Sequence, residues 1–249
     1  MIVCIFLRSL LLQAFWNFER MQNVGFLFSL LPFLRKIYPN IDERREAIKR
    51  HLGYFNTHPY LANIIIGLTM AGEKKLKENK TEVKYIMNTK TNMSSPLAAL
   101  GDRFFWSTWR TFAGIIVSLF FLLSENLLTI GSRYILVAIV TYLIIFNLLH
   151  IPVRFFGLVW SFKNPENIIK LLADFRIQIV VKKIQKIGVV LILFGSICYL
   201  MFNLSLKESI IFTIIFIFSY LYSEVTSVSF IFYISTIIAF ILCILFRFM

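Results

Sequence analysis

Long stretches without charge in the second half of the chain constrain the fold most. Residues 134–151, 187–206 and 228–246 hold eighteen, twenty and nineteen residues with no Asp, Glu, Lys or Arg, and residues 104–123 hold one, Arg110. About twenty apolar residues, coiled at 1.5 Å per residue, cross the ~30 Å hydrocarbon of a bilayer. In lipid the peptide groups must find their partners inside the segment, which a helix provides. Residues 210–222 add a thirteen-residue apolar stretch, a short span or a re-entrant piece. With 58% apolar and 16% charged residues, a soluble globule of 249 residues has too little interior to hide the hydrocarbon. Twenty-seven Phe exclude a disordered tail. The fold expected is all-α and polytopic, with about four to five transmembrane helices.

Charge divides the chain at residue 103. Residues 1–103 carry fifteen basic and eight acidic side chains, spaced every few positions; residues 104–249 carry eleven and five, mostly between the apolar stretches. We expect an N-terminal cytoplasmic or interfacial helical region over 1–103 and a transmembrane region over 104–249. The connector 161–186 has six basic residues against Glu166 and Asp174, so the positive-inside rule places it in the cytoplasm. The N-terminal region is then inside and 124–133 outside. The net charge of +13 comes from such juxtamembrane Lys and Arg, and no nucleic acid is expected as a partner.

Local signals refine the first region. Asn40 followed by Glu43 is a reciprocal helix cap, with Asp42, Glu43 and Glu46 in the first turns and Lys49, Arg50 and His51 in the last. His51 on that amphipathic helix is expected to be an exposed contact. Gly53 stops or loosens the helix. The apolar stretch 59–71 is too short to span and is expected to be interfacial or re-entrant. Residues 74–90 read as a solvated linker, with Glu73 either facing a cavity or opening that linker. Cys4, Cys198 and Cys243 form no paired framework, and no metal-ligand spacing, phosphate-binding glycine loop or nucleophile elbow occurs. No metal or cofactor is expected.

Several separated words have a further likeness. Phe15 to Phe26 (FWNFERMQNVGF), Arg45 to Pro59 (REAIKRHLGYFNTHP), Pro96 to Asp102 with Phe105 to Arg110 (PLAALGD, FWSTWR), and Arg154 to Gly157 (RFFG) occur in that order. They resemble the signatures of the IID subunit of the mannose/fructose/sorbose type of phosphoenolpyruvate-dependent sugar phosphotransferase system. The resemblance implies a non-catalytic, multi-pass subunit of the bacterial inner membrane. It implies a IIC membrane partner sharing a hexose path, and cytoplasmic IIA and IIB carriers that phosphorylate the sugar, all in an oligomeric complex.

A sugar path must replace the hydration of several hydroxyls with fixed hydrogen bonds, because unpaired polar groups are costly once buried. Two places offer amides, hydroxyls, a carboxylate and aromatics near irregular backbone: Asn56-Thr57-His58-Pro59, and the stretch from Pro96 to Arg110. The candidate substrate-binding residues are Asn56, Thr57, His58, Asp102, Trp106 and Arg110. Two alternatives stay open. Asp102 is also placed to cap the helix beginning near Phe104. Arg110 either pairs with Asp102 or a partner's carboxylate, or sits at the membrane surface. Trp106, Trp109 and Trp160 are sugar-stacking residues or interfacial anchors. Ser95 and Ala99 stand where the family has glycine, and Arg103 where it has proline. These departures support a second reading, a diverged, non-transporting membrane protein retained for assembly, regulation or as a receptor surface.

Overall fold

The structure is a computed structural model that describes residues 1–122, 132–174, 176–203 and 214. The short apolar stretch expected over 210–222 (apart from residue 214) and the span expected over 228–246, with most of the outer loop 124–133, lie outside the described residues. The described secondary structure is helical apart from two isolated bridges, which join Asn17 to Met21 and Met21 to Phe55. Two compact units divide the chain: residues 1–118 with 129–188, and residues 119–128 with 189–249. The described parts of the second unit are helical.

In the first unit α1 (Ile2–Ser9) leads through a 3-10 turn (Leu12–Phe15) and the bridged loop to α2 (Asn23–Ile37). α3 (Ile41–His51) starts as its sequence requires, with Asn40 Oδ1 accepting from the Asp42 and Glu43 amides at 2.8 and 3.3 Å. The reciprocal half of the cap is replaced, because the Glu43 carboxylate pairs with Lys77 at 2.6 Å. α3 ends at His51, without a left-handed residue at Gly53.

α4 (Ala62–Lys77) is the axis of the unit. Every residue from Ala62 to Glu73 is buried by protein, against α2, α5 (Val83–Gly101) and above all α7 (Ser132–Lys163). This explains why the stretch is apolar all round although too short to span. Gly67 permits the close crossing: a Cβ there would overlap Ser161 Oγ and lie 2.5 Å from the Leu158 carbonyl oxygen. Phe26, Leu30, Phe33 and Leu34 of α2, with Leu97, Phe105 and Leu158, complete the core around α4.

The linker expected over 74–90 is much shorter. α4 continues to Lys77 and α5 begins at Val83, leaving residues 78–82 as the connection. Lys90, expected in solvent, is 2% exposed: its Nζ lies 4.4 Å from the Phe26 ring centre and 5.2 Å from that of Phe55, and reaches the His51 carbonyl at 3.4 Å. Cation–π attraction offsets part of its desolvation, and burial still pushes its pKa down to about 8.

From Val83 the chain is helical without a break to Leu122: α5, a π-helical segment (Asp102–Trp109), then α6 (Arg110–Leu122). Asp102 therefore caps nothing; it has right-handed helical torsions (φ −59°, ψ −47°) in mid-helix. α8 (Pro165–Asp174) and α9 (Ile177–Asn203) follow α7. Among the described residues one helix, Ile135–Lys163 within α7, is long and apolar enough to cross a membrane.

Candidate functional site

The loop between α3 and α4 is where the separated words meet. Apart from the bridge at Phe55 it has no regular secondary structure, so side chains from elsewhere hold it. Gln22 clamps Thr57 from both sides: Nε2 donates to the Thr57 carbonyl at 2.8 Å, and Oε1 accepts from the Thr57 amide at 3.2 Å. The Gln22 amide donates to the Phe55 carbonyl at 2.8 Å, and Asn23 Nδ2 to that of Leu52 at 2.7 Å. Thr57 Oγ1 then donates to the Ser94 carbonyl at 2.9 Å, tying the loop to α5 just before Pro96.

His58 turns the loop into α4. Its carbonyl accepts from the Leu61 and Ala62 amides, and Nδ1 accepts from the Tyr60 amide at 3.3 Å. That bond leaves the proton on Nε2, which is buried without a partner. The ring lies against Gly101, where a Cβ would overlap it, and between Phe105 (stacked, 5.5 Å) and Trp106 (4.7 Å). Burial, then the Arg154 and His150 charges, pushes the imidazole down to about 4, so His58 is neutral near pH 7.

The π-helical segment faces this ring. Thr108 Oγ1 donates to the Arg103 carbonyl, five residues back, at 2.9 Å. Such wide turns concentrate at functional sites. Trp106 (37% exposed) runs from the His58 ring to the surface, with Asp102 and Arg110 exposed at the ends of the segment. Asn56 is exposed beside them in sequence to the buried Thr57 and His58. Asp102 and Arg110 form no ion pair with each other. The structure thus joins Thr57, His58 and Trp106 through contacts, and leaves Asn56, Asp102 and Arg110 on the surface.

Sequence reasoning missed a second layer. Tyr60 stacks on His150 at 4.2 Å, 9° from parallel, and the Arg154 guanidinium lies 5.5 Å from the Tyr60 ring. Arg154 Nη2 donates to the Ser9 carbonyl at 2.6 Å, and Asn63 Nδ2 to the Arg154 carbonyl at 3.0 Å. Asn63 Oδ1, His150 Nδ1 and Arg154 Nε are, like His58 Nε2, buried without partners, so four unmet polar atoms gather around one aromatic cluster. Gln22 and Arg154 belonged to the matched words and were legible there. Tyr60, Asn63 and His150 carried no local signal.

A charged cluster on the other side of α3 corrects a further expectation. His51 is not a surface contact but fully buried, its Nε2 2.8 Å from Glu73 Oε1. Glu73 is also fully buried and accepts from Arg50 Nε and Nη2 at 2.8 Å each and from Tyr38 Oη at 2.7 Å. Burial alone would raise the Glu73 carboxyl. The bonds from His51, Arg50 and Tyr38 outweigh it and hold the group at about 2. Burial lowers His51, whose neutral ring donates to the carboxylate. Among the described residues no group of three metal-ligating side chains occurs.

Residues 1–246 match the family described as "PTS system mannose/fructose/sorbose family IID component". The chain belongs to that family. It is 38% identical to the mannose-specific EIID component of Escherichia coli K12 over 169 residues, 67% of this chain and 56% of the relative. It is 32% identical to the fructose permease IID component of Bacillus subtilis 168 over 179 residues (71% and 61%). With the sorbose-specific EIID component of Klebsiella pneumoniae the identity is 33% over 171 residues (68% and 58%). The chain thus spans less than two thirds of each of these relatives. Among solved structures it is similar to a chain of the mannose transporter ManYZ in complex with microcin E492, at TM-score 0.57 and 32% identity, covering 78% of this chain and 68% of that one. A second membrane protein structure matches at TM-score 0.65 with the same identity and coverage. IID components are membrane proteins, in keeping with the apolar, lipid-length α7 of this family member.

Proposed function

We propose that this IID chain is a non-catalytic permease subunit that joins a IIC-type partner in the inner membrane to form a hexose path. Phosphoryl transfer to the entering sugar is then the work of cytoplasmic IIA and IIB carriers. In this reading the chain crosses the membrane four or five times, and the relatives' sugars (mannose, fructose, sorbose) define the substrate class.

One observation carries the proposal. The distant words of the family signature converge on the loop 56–58, where the buried His58 and half-exposed Trp106 adjoin a π-helical turn with Asp102 and Arg110 at its ends. Such a surface offers carboxylate, guanidinium and carboxamide to sugar hydroxyls and an indole face to the sugar's C–H side. Asn56, Asp102, Trp106 and Arg110 are assigned to substrate, and Thr57 and His58 to the wall behind them. The four substrate residues keep their exposure until the IIC-type partner closes the path.

The test is uptake of labelled mannose, fructose and sorbose by cells expressing the chain with its neighbouring subunits. Asn56→Ala combined with Asp102→Ala should abolish uptake while leaving the protein in the membrane; unchanged uptake removes the site assignment. The reading of a non-transporting relative is favoured by Ser95, Ala99 and Arg103. All three are exposed, so they cost this chain nothing yet alter the face a partner would meet. That reading predicts partner co-purification without thermal stabilisation by any of the three sugars.

A further inference from the structure

Residues 1–18 contain a single charged side chain, Arg8, and expose an unusual amount of hydrocarbon. In α1 the faces separate cleanly: Ile5 and Ser9, with Leu12 beyond, are buried, while Val3 (59% exposed), Leu7 (55%), Leu10 and Leu11 are outward. Arg8 does not interrupt the outward face, because its guanidinium turns onto α2, 4.6 Å above the Phe28 ring and 3.2 Å from the Phe28 carbonyl oxygen. The loop that follows continues the apolar surface with Trp16 and Phe18, whose rings meet edge to face at 4.7 Å; Phe18 is 87% exposed. This exposure is built rather than incidental. Asn17 braces the loop through the Arg20 amide (2.8 Å) and Asn23 (3.0 Å), while Met21 takes a left-handed torsion, φ 57°. Glu19 and Arg20, paired at 3.0 Å, end the apolar run.

What covers this surface follows from where α1 is anchored. It docks on α7 through Phe6 against Phe155 (5.3 Å) and through the Arg154 bond to the Ser9 carbonyl. The charge-free stretch of α7 ends at Val153, just before Arg154, so Phe155 lies about 3 Å further along the helix. That docks α1 at the edge of the hydrocarbon, the boundary of headgroups and acyl chains in which interfacial amphipathic helices lie. Near the same level α7 exposes Ile151, Phe156 and Trp160, so the apolar surface of α1 borders the lipid-facing surface of the span. Trp16 and Trp160 are the amphipathic rings that settle in this layer.

We infer that residues 1–18 form an interfacial anchor, lying in the cytoplasmic leaflet with Val3, Leu7, Leu11, Trp16 and Phe18 against lipid. The anchor fixes the height of the unit: Arg154 reaches from the span to α1, so α1 resists movement of α7 along the membrane normal. This inference is independent of the sugar path and survives its failure.

Site-directed spin labelling tests it on the full chain in phosphatidylethanolamine–phosphatidylglycerol vesicles. One label goes on Cys4, which is exposed on α1, with Cys198 and Cys243 replaced by Ser. A second goes on Phe18→Cys with Cys4 also replaced. Labels at Lys49→Cys on α3 and Ile144→Cys on the outward face of α7 give the water and lipid references. The collision ratio of oxygen to a nickel chelate should rise several-fold at Cys4 and Phe18→Cys above the Lys49→Cys value, toward but below that of Ile144→Cys. A ratio equal to that of Lys49→Cys places the surface in water and overturns the inference. Loss of collisions with both reagents, in the chain alone or with its IIC-type neighbour, means that protein covers the surface and overturns it equally.

Discussion

Replacing Glu73 with Gln keeps the shape of the buried carboxylate and removes its charge, which isolates the electrostatics of the α3–α4 junction. Four bonds converge on its two oxygens, from Tyr38, twice from Arg50, and from His51. A carboxamide has one acceptor oxygen, so its NH2 group must face two of those donors. Charge-assisted bonds contribute roughly 1.5–3 kcal/mol each, and removing one partner of a buried ion pair costs about 3–5 kcal/mol. The Arg50 side chain is 17% exposed and can recover some hydration, so the lower end applies, about 3 kcal/mol. For a unit of ~150–250 residues this corresponds to a fall in Tm of about 6–12 °C. Intrinsic-fluorescence melts of the detergent-purified protein at pH 7 read it directly.

The same substitution changes the acid response. Glu73 is held at about 2 against an ordinary 4.5. The unfolded chain therefore binds the proton first, and the native state loses stability as pH falls from 4.5 toward 2. The wild-type melt should drop over that window, and the Glu73→Gln melt should drop less. A variant melting within 2 °C of wild type at pH 7, with an unchanged acid slope, refutes the account of this cluster.

Other substitutions probe the remaining contacts. Lys90→Met removes a buried ammonium whose pKa has fallen to about 8. The ~3 kcal/mol of desolvation relieved exceeds the ~2 kcal/mol of cation–π attraction lost, so Tm at pH 7 should rise slightly. Wild-type stability should increase from pH 8 to 10.5, where the unfolded chain retains the proton that native Lys90 releases, and the variant should lack that increase. Gly67→Ala forces α4 away from the Leu158 carbonyl and should cost about 1–3 kcal/mol, read as a lower melting temperature. Gln22→Ala unties both sides of Thr57 and should speed amide hydrogen exchange over 55–58 more than in α2.

Much of this was legible locally. An eighteen-residue stretch without charge has one stable form in hydrocarbon, so α7 follows from residues 134–151 alone, and the Asn40 cap follows from its own side chain reaching amides two and three residues on. The family was equally legible, because its words are contiguous strings. What the strings build was not. Whether Asp102 caps a helix depends on the eighty-third to hundred-and-first residues already being helical, and Pro96 gave no sign that the helix would run through it. His51 read as exposed because an isolated amphipathic helix shows its polar residues to water, and Lys90 because a charged stretch with no partner in view reads as a solvated linker. Glu73, twenty-two residues from His51, and the rings of Phe26 and Phe55 are brought to them only by packing around α4. Tyr60 on His150 is likewise a meeting of residues ninety positions apart. Sequence alone determined that α7 is a helix of lipid-crossing length, since solvation acts on each segment separately. Tertiary structure decided which polar groups are buried and with whom, since that energy exists only once two distant segments share one space.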